Sequence, residues 1–82
     1  VMAVVEDCRD GFIYCEQRNK FFKGDTLESL EPGKKPQSFV VTELFDENGE
    51  PIDSTPRAMM KFKIRSDLKF VPGTILRKQN IK

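Results

Sequence analysis

The stretch Gln17-Arg18-Asn19-Lys20-Phe21-Phe22-Lys23-Gly24-Asp25-Thr26-Leu27-Glu28-Ser29-Leu30 sets the pattern of this chain. A strand runs into a polar Arg-Asn corner, two aromatics follow, then a Lys-Gly-Asp turn, then a new strand. Gly24 can take a positive φ without a Cβ clash, and Asp25 can hydrogen-bond its own downstream backbone. The same order returns near the end in Lys69-Phe70-Val71-Pro72-Gly73-Thr74-Ile75-Leu76. Aromatic, turn glycine, strand, used twice, is a way for a small β-barrel to fold its chain back on itself.

Working outward, Val1 to Cys8 is rich in β-branched residues and reads as a strand, closed by an Asp-Gly hairpin turn at Arg9-Asp10-Gly11. Phe12 to Arg18 is the returning strand, and its inward face is ambiguous between Phe12 with Tyr14 and Ile13 with Cys15. Thr26 to Leu30 reads as a third strand. Glu31 to Pro36 holds two prolines and is read as a loop. Gln37 to Phe45 is expected to be the longest strand, with Phe39, Val41 and Phe45 on one face and Val40, Thr42 and Leu44 on the other. Both faces are apolar, so burial or cover on both sides is expected. Asn48-Gly49 marks a tight turn and Ile52 to Pro56 an extended connection. Arg57 to Arg65 alternates cleanly: Ala58, Met60, Phe62 and Ile64 against Met59, Lys61, Lys63 and Arg65. Thr74 to Lys78 is the last strand, and Gln79 to Lys82 a frayed tail. No helical period of useful length occurs. The expected fold is a single all-β domain over residues 1–82, a small antiparallel barrel of six to seven strands.

A chain of 82 residues buries only roughly 60–65% of the surface that its unfolded form exposes, which leaves little room for a deep active site. Fourteen basic and thirteen acidic residues give a net charge of +1, unlike the strongly basic face of a dedicated nucleic-acid binder. Histidine is absent, and Cys8 and Cys15 alone cannot make a four-ligand zinc site. Whether they can face each other across the hairpin depends on the turn; free thiols in a reducing cytoplasm are the expected state. A catalytic thiol would need a base that the chain lacks, so a small apolar role is expected for both. The acidic run Asp46, Glu47, Asn48, Glu50 and Asp53 puts its glycine at the fourth position where an EF-hand loop wants the sixth, and it reads as a solvated turn. No apolar run can span a bilayer and no signal-peptide pattern opens the chain, so a cytoplasmic setting without a membrane partner is expected. The start at Val1, inside a strand, reads as a piece of a longer protein.

Two kinds of surface could bind. Lys61, Lys63 and Arg65 form a basic stripe; Arg18, Lys20 and Lys23 lie near Phe21 and Phe22; Arg77, Lys78 and Lys82 end the chain. Small barrels can bind RNA with basic grooves and aromatic platforms, although the many carboxylates favour a merely solvated face. An exposed apolar patch for protein capture would be sought at Met59 and Phe22. The candidate surface is therefore Arg18, Lys20, Phe22, Met59, Lys61, Lys63, Arg65 and Arg77.

Glu16-Gln17-Arg18-Asn19-Lys20-Phe21, Lys23-Gly24-Asp25, Leu44 to Asp53 (Leu-Phe-Asp-Glu-Asn-Gly-Glu-Pro-Ile-Asp) and Val71-Pro72-Gly73-Thr74-Ile75-Leu76-Arg77-Lys78 resemble, in this order, the C-terminal domain of the collagenase-like peptidase family U-32. The turn motifs also resemble the second, β-barrel domain of elongation factor Tu, in fold only. The U-32 resemblance implies a larger parent with an upstream catalytic domain of peptidase type. Some members resemble factors that hydroxylate tRNA or ribosomal RNA bases with an iron–sulfur cluster held upstream. It implies an accessory role here: no catalytic residue, no metal and no cofactor in this domain. The expected partners are the parent's own catalytic domain, a protein or peptide substrate, or RNA.

Overall fold

The structure of the protein, a computed structural model, describes residues 2–55 and 59–78. Seven antiparallel strands form one curled sheet: β1 (Ala3–Arg9), β2 (Phe12–Gln17), β3 (Thr26–Leu30), β4 (Ser38–Val40), β5 (Leu44–Asp46), β6 (Lys61–Arg65) and β7 (Ile75–Lys78). Their order across the sheet is β4-β3-β7-β1-β2-β6-β5, and the sheet curls into a half-barrel. No helix occurs among the described residues.

The Asp-Gly turn does what its residues require. Asp10 and Gly11 both take positive φ, 54° and 79°, and Arg9 pairs directly with Phe12. That is a two-residue turn whose twist suits the flanking strands. It also fixes which face of β2 is buried. Ile13, Cys15 and Gln17 point inward, whereas Phe12, Tyr14 and Glu16 lie half-buried on the outer face. In β1 the register slips between Val5 and Asp7, a β-bulge that lets Val5 oppose Cys15 and Cys8 oppose Ile13.

The expected strand from Gln37 to Phe45 is corrected. It breaks into β4 and β5, which lie at opposite ends of the sheet, and Val41 to Glu43 cross between them. The crossing shifts the phase. Val41 and Leu44 are both buried, three residues apart, which a continuous strand with period two cannot do. Apolar residues on both faces therefore signalled a change of partner rather than a covered strand. The strand expected from Arg57 begins only at Lys61; Met59 sits in a turn with φ of 62°. Arg57 and Ala58 lie outside the described residues, as do Pro56 and the expected tail at Gln79 to Lys82.

The two copies of the aromatic–glycine–strand unit are related by a local two-fold axis. Phe21 and Phe70 are buried, Gly24 and Gly73 take φ of 96° and 93°, and Leu27 and Leu76 are buried on adjacent strands. Each turn closes alike: the Asp25 N–H donates to Phe22 O at 3.0 Å, and the Thr74 N–H donates to Val71 O at 3.1 Å. Each glycine also donates to a neighbouring segment at 2.8 Å, Gly24 to Val41 O and Gly73 to Val5 O. The counterparts Glu28 and Arg77 pair with one another where β3 meets β7, so the axis passes between them.

The interior is filled by Ala3, Val5, Ile13, Cys15, Phe21, Leu27, Val41, Leu44, Phe62, Ile64, Phe70 and Leu76. Phe21 stands edge-on to Phe62 at 5.3 Å between ring centres, joining the organising stretch to β6.

Candidate binding surface

The inward commitment of Ile13 and Cys15 sends the alternate β2 residues out. The β2–β6 register then sets Phe12 beside Arg65, Tyr14 beside Lys63 and Glu16 beside Lys61; β5 adds Phe45 beside Lys63. The outer face of β2, β6 and β5 is a ladder of rings and cations. Phe12 lies 6.3 Å from Tyr14 and 5.7 Å from Phe45, both edge-on. Lys63 Nζ lies 4.3 Å from the Phe12 centroid and 5.7 Å from that of Tyr14. Arg9 covers Tyr14 at 4.2 Å, and Arg65 reaches Phe12 at 5.5 Å while pairing with Glu43 at 3.3 Å. Cations over ring faces are held there by the ring quadrupole. A depression of about 330 Å³ opens beside this ladder, walled by Tyr14, Lys63, Lys61, Glu6 and Asp46.

At the other end of the same face the charges neutralise one another. Lys61 bridges Glu6 and Glu16, and Arg18 closes on Glu16. The Arg18 hydrogen bond, then that of Lys61, lowers the Glu16 carboxyl below its ordinary range. The Glu6 hydrogen bond, then that of Glu16, raises the Lys61 ammonium. Arg18 also reaches the sulfur of Met59 at 3.2 Å, and Met59 is exposed. Arg18, Met59 and Lys61 thus gather around Glu16, and Lys63 and Arg65 gather over Phe12. Lys20 and Phe22 form a separate pair at the Lys-Gly-Asp turn, 5.2 Å from ammonium to ring centre, with Phe22 half exposed. Arg77 sits on the local axis, 2.6 Å from Glu28.

The aromatics beside the basic stripe are therefore Phe12, Tyr14 and Phe45, with Arg9 as a further cation; Phe21 is in the core. The two-residue turn sets only the β1–β2 register; the cations of β6 meet Phe12, Tyr14 and Glu16 through the long-range β2–β6 pairing.

Other candidate chemistry has a structural use. Asp46 Oδ1 accepts the Asn48 and Glu50 N–H groups, both at 2.9 Å, so the acidic loop's first carboxylate caps its own turn. Cys15 is buried, and burial, followed by the electrostatic influence of Cys8 and Glu6, pushes its thiol well above the ordinary range. Such a thiol is a poor nucleophile. Cys8 is half-buried, with its sulfur against the Phe70 backbone: 3.3 Å from N and 3.5 Å from O. Both cysteines are free. Among the described residues no three Cys, Asp or Glu side chains come together to hold a metal.

No curated protein matches the chain. Two solved structures resemble it, both of the C-terminal domain of a putative U32 peptidase of Geobacillus thermoleovorans. One is 25% identical with a TM-score of 0.89, covering 96% of this chain and 91% of that one. The other, its selenomethionine variant, is 24% identical with a TM-score of 0.87, covering 94% and 96%. The family model for the peptidase family U32 C-terminal domain matches residues 1–77, from the first hairpin through the second copy of the aromatic–glycine–strand unit. The half-barrel, its paired turns and nearly all of its length thus place this chain in the peptidase family U32 C-terminal domain family.

Proposed function

We propose that this domain is a non-catalytic accessory module of a U32-type parent, working in the cytoplasm without a cofactor of its own, and that it holds substrate for the parent's catalytic domain or docks against that domain. The observation that carries the reading is the outer face of β2, β6 and β5. Three half-buried rings occupy outward sheet positions that ordinarily carry polar side chains, with Lys63 and Arg65 of β6 and Arg9 of β1 over them, and Tyr, Phe and Arg are the residues enriched where proteins bind. The interior supports the same reading, since its one thiol is held protonated.

The experiment compares the parent with and without this domain on casein and gelatin. Removal should raise KM roughly tenfold with kcat changed far less, as expected when a remote, uniform binding contribution is lost. The isolated domain should cleave neither protein. Cleavage by the pure domain, lost on replacing Cys8 or Cys15, sinks the reading.

A second reading, an RNA-contacting module, is favoured by Arg9, Lys63 and Arg65 lying over Phe12 and Tyr14, the interleaving that single-stranded nucleic acid uses. Three phosphate contacts would cost roughly twentyfold in tRNA affinity between about 50 and 200 mM salt. Unchanged binding in Lys63→Glu with Arg65→Glu, or none at low salt, excludes it.

A further inference from the structure

Among the described residues, two besides glycine take a positive φ, Asp10 and Met59. Asp10 does so inside its two-residue hairpin turn, where that conformation is required. Met59 has no such turn chemistry: its φ of 62° lies in a region that long side chains rarely adopt. The chain just beyond it is pinned, since Met60 O accepts the Gln17 N–H at 2.8 Å and β6 begins at Lys61. The left-handed step separates two adjacent methionines. Met60 packs against the core, whereas Met59 is 58% exposed, more than Phe22, Val40 or Val71.

The exposed thioether has one specific neighbour. Arg18 Nη1 lies 3.2 Å from the Met59 sulfur and also reaches Glu16 Oε1. That nitrogen carries two N–H groups, so it can serve both acceptors, a weak thioether and a strong carboxylate. Glu16 is held from its other side by Lys61, which also engages Glu6. A thioether sulfur has two lone pairs; Arg18 takes one and leaves the other for an electrophile. Hydrogen peroxide is such an electrophile. The sulfur lone pair attacks one peroxide oxygen, the S–O bond forms and the O–O bond breaks. The proton on the transferred oxygen passes to the departing hydroxide, so sulfur is oxidised by two electrons and the peroxide leaves as water. The sulfoxide oxygen is a far better acceptor than the thioether, and it is formed beside Arg18.

We propose that Met59 is a redox modification site: hydrogen peroxide converts its thioether to the sulfoxide, whose oxygen draws Arg18 away from Glu16. An exposed apolar group on the candidate surface becomes polar, and Glu16 keeps only Lys61, which it shares with Glu6. The change stays at the surface, because Met59 lies outside the core, and it can be undone, because methionine sulfoxide is enzymatically reducible. It does not depend on what the surface holds.

The test treats the protein with hydrogen peroxide near neutral pH and follows each methionine by peptide mass spectrometry. Met59 should oxidise at least about fivefold faster than Met2 and Met60, which both pack against the core. Carbon NMR then follows the Glu16 carboxyl. The Arg18 hydrogen bond, then that of Lys61, holds it below the ordinary range, so loss of Arg18 should move its titration to higher pH. Methionine sulfoxide reductase should return both signals to their starting values. Met59→Leu keeps the apolar bulk and removes the sulfur. In that variant peroxide should leave the Glu16 titration in place, which separates Met59 from any oxidation at Cys8. Equal rates at the three methionines overturn the site. Selective oxidation with an unmoved Glu16, or a Glu16 shift that persists in Met59→Leu, overturns the exchange of Arg18.

Discussion

Phe21→Ala is expected to lower the unfolding free energy by about 3–5 kcal/mol, whereas Phe22→Ala, one residue on, should cost less than about 1 kcal/mol. Phe21 is 1% exposed and packs edge-on against Phe62. Its backbone is tied on both sides to Thr55: the Phe21 N–H donates to Thr55 Oγ1 and the Thr55 N–H to Phe21 O, each at 3.1 Å. Because those ties fix the backbone, the truncated site cannot collapse, and a cavity remains between the Lys-Gly-Asp turn and β6. A domain of this size has roughly 4–12 kcal/mol of total stability, so the loss is a large part of the whole. Phe22 has half its surface in solvent, with the Lys20 ammonium over its ring. Urea titration followed by circular dichroism separates the two, with the midpoint falling far for Phe21→Ala and little for Phe22→Ala at an unchanged slope. Equal losses would mean that the turn, rather than the core contact, anchors this stretch.

That contrast shows where the sequence was legible. The echo of aromatic, glycine and strand is visible in the letters, and the structure turns it into a local two-fold with Glu28 and Arg77 at its centre. The third strand, Thr26 to Leu30, lies where its alternation places it. Turns are local: an Asp-Gly pair demands two positive φ values and obtains them at Asp10 and Gly11. What was not legible depends on long-range pairing. Two adjacent phenylalanines are the same letter twice, and only the isolated bridge of Phe22 with Ser54 and the packing of Phe21 on Phe62 decide which is buried. The chain from Ser38 to Asp46 is apolar on both faces whether it is one covered strand or two strands with a crossing. Its break is set by the curl of the sheet, which brings the two end strands, β4 and β5, near enough for Val41 to Glu43 to cross between them.

The candidate surface divides in the same way. Lys61, Lys63 and Arg65 share a face by simple alternation, and the structure keeps them on one strand. Their electrostatic character follows from neighbours distant in sequence. Glu6 and Glu16 engage Lys61, whereas Phe12 and Tyr14 lie under Lys63. One stripe thus holds an ion-pair cluster at one end and a ring–cation ladder at the other. Of the two ends, only the latter combines apolar area with positive charge.

Cys15 should react with iodoacetamide at pH 8 at least ~100-fold more slowly in the folded protein than in urea, because reaction needs both a thiolate and access, and the fold withholds both. The side chain is 1% exposed, with its sulfur 3.8 Å from Ile13 O, and burial raises its pKa far above the usual thiol range. The same shift makes stability depend on pH. Below the unfolded thiol pKa of about 8.5 both states hold the proton and the group contributes no slope. Above it the unfolded chain releases the proton and the folded chain keeps it, so stability falls as pH rises, by up to about 1.4 kcal/mol per pH unit, until the folded pKa is reached. Tyrosine and lysine titrations overlap that window, so the comparison is with Cys15→Ala, which retains every other group. The variant should lose about one proton's worth of slope between about pH 9 and 10.5, while its absolute stability is lower because a sulfur-sized void faces Val5 and Phe62 across the β1–β2 and β2–β6 pairs. Identical slopes, or stoichiometric labelling of Cys15 in the native state, would mean that the sulfur is within reach of water, and the case for an inert, closed interior would fall with it.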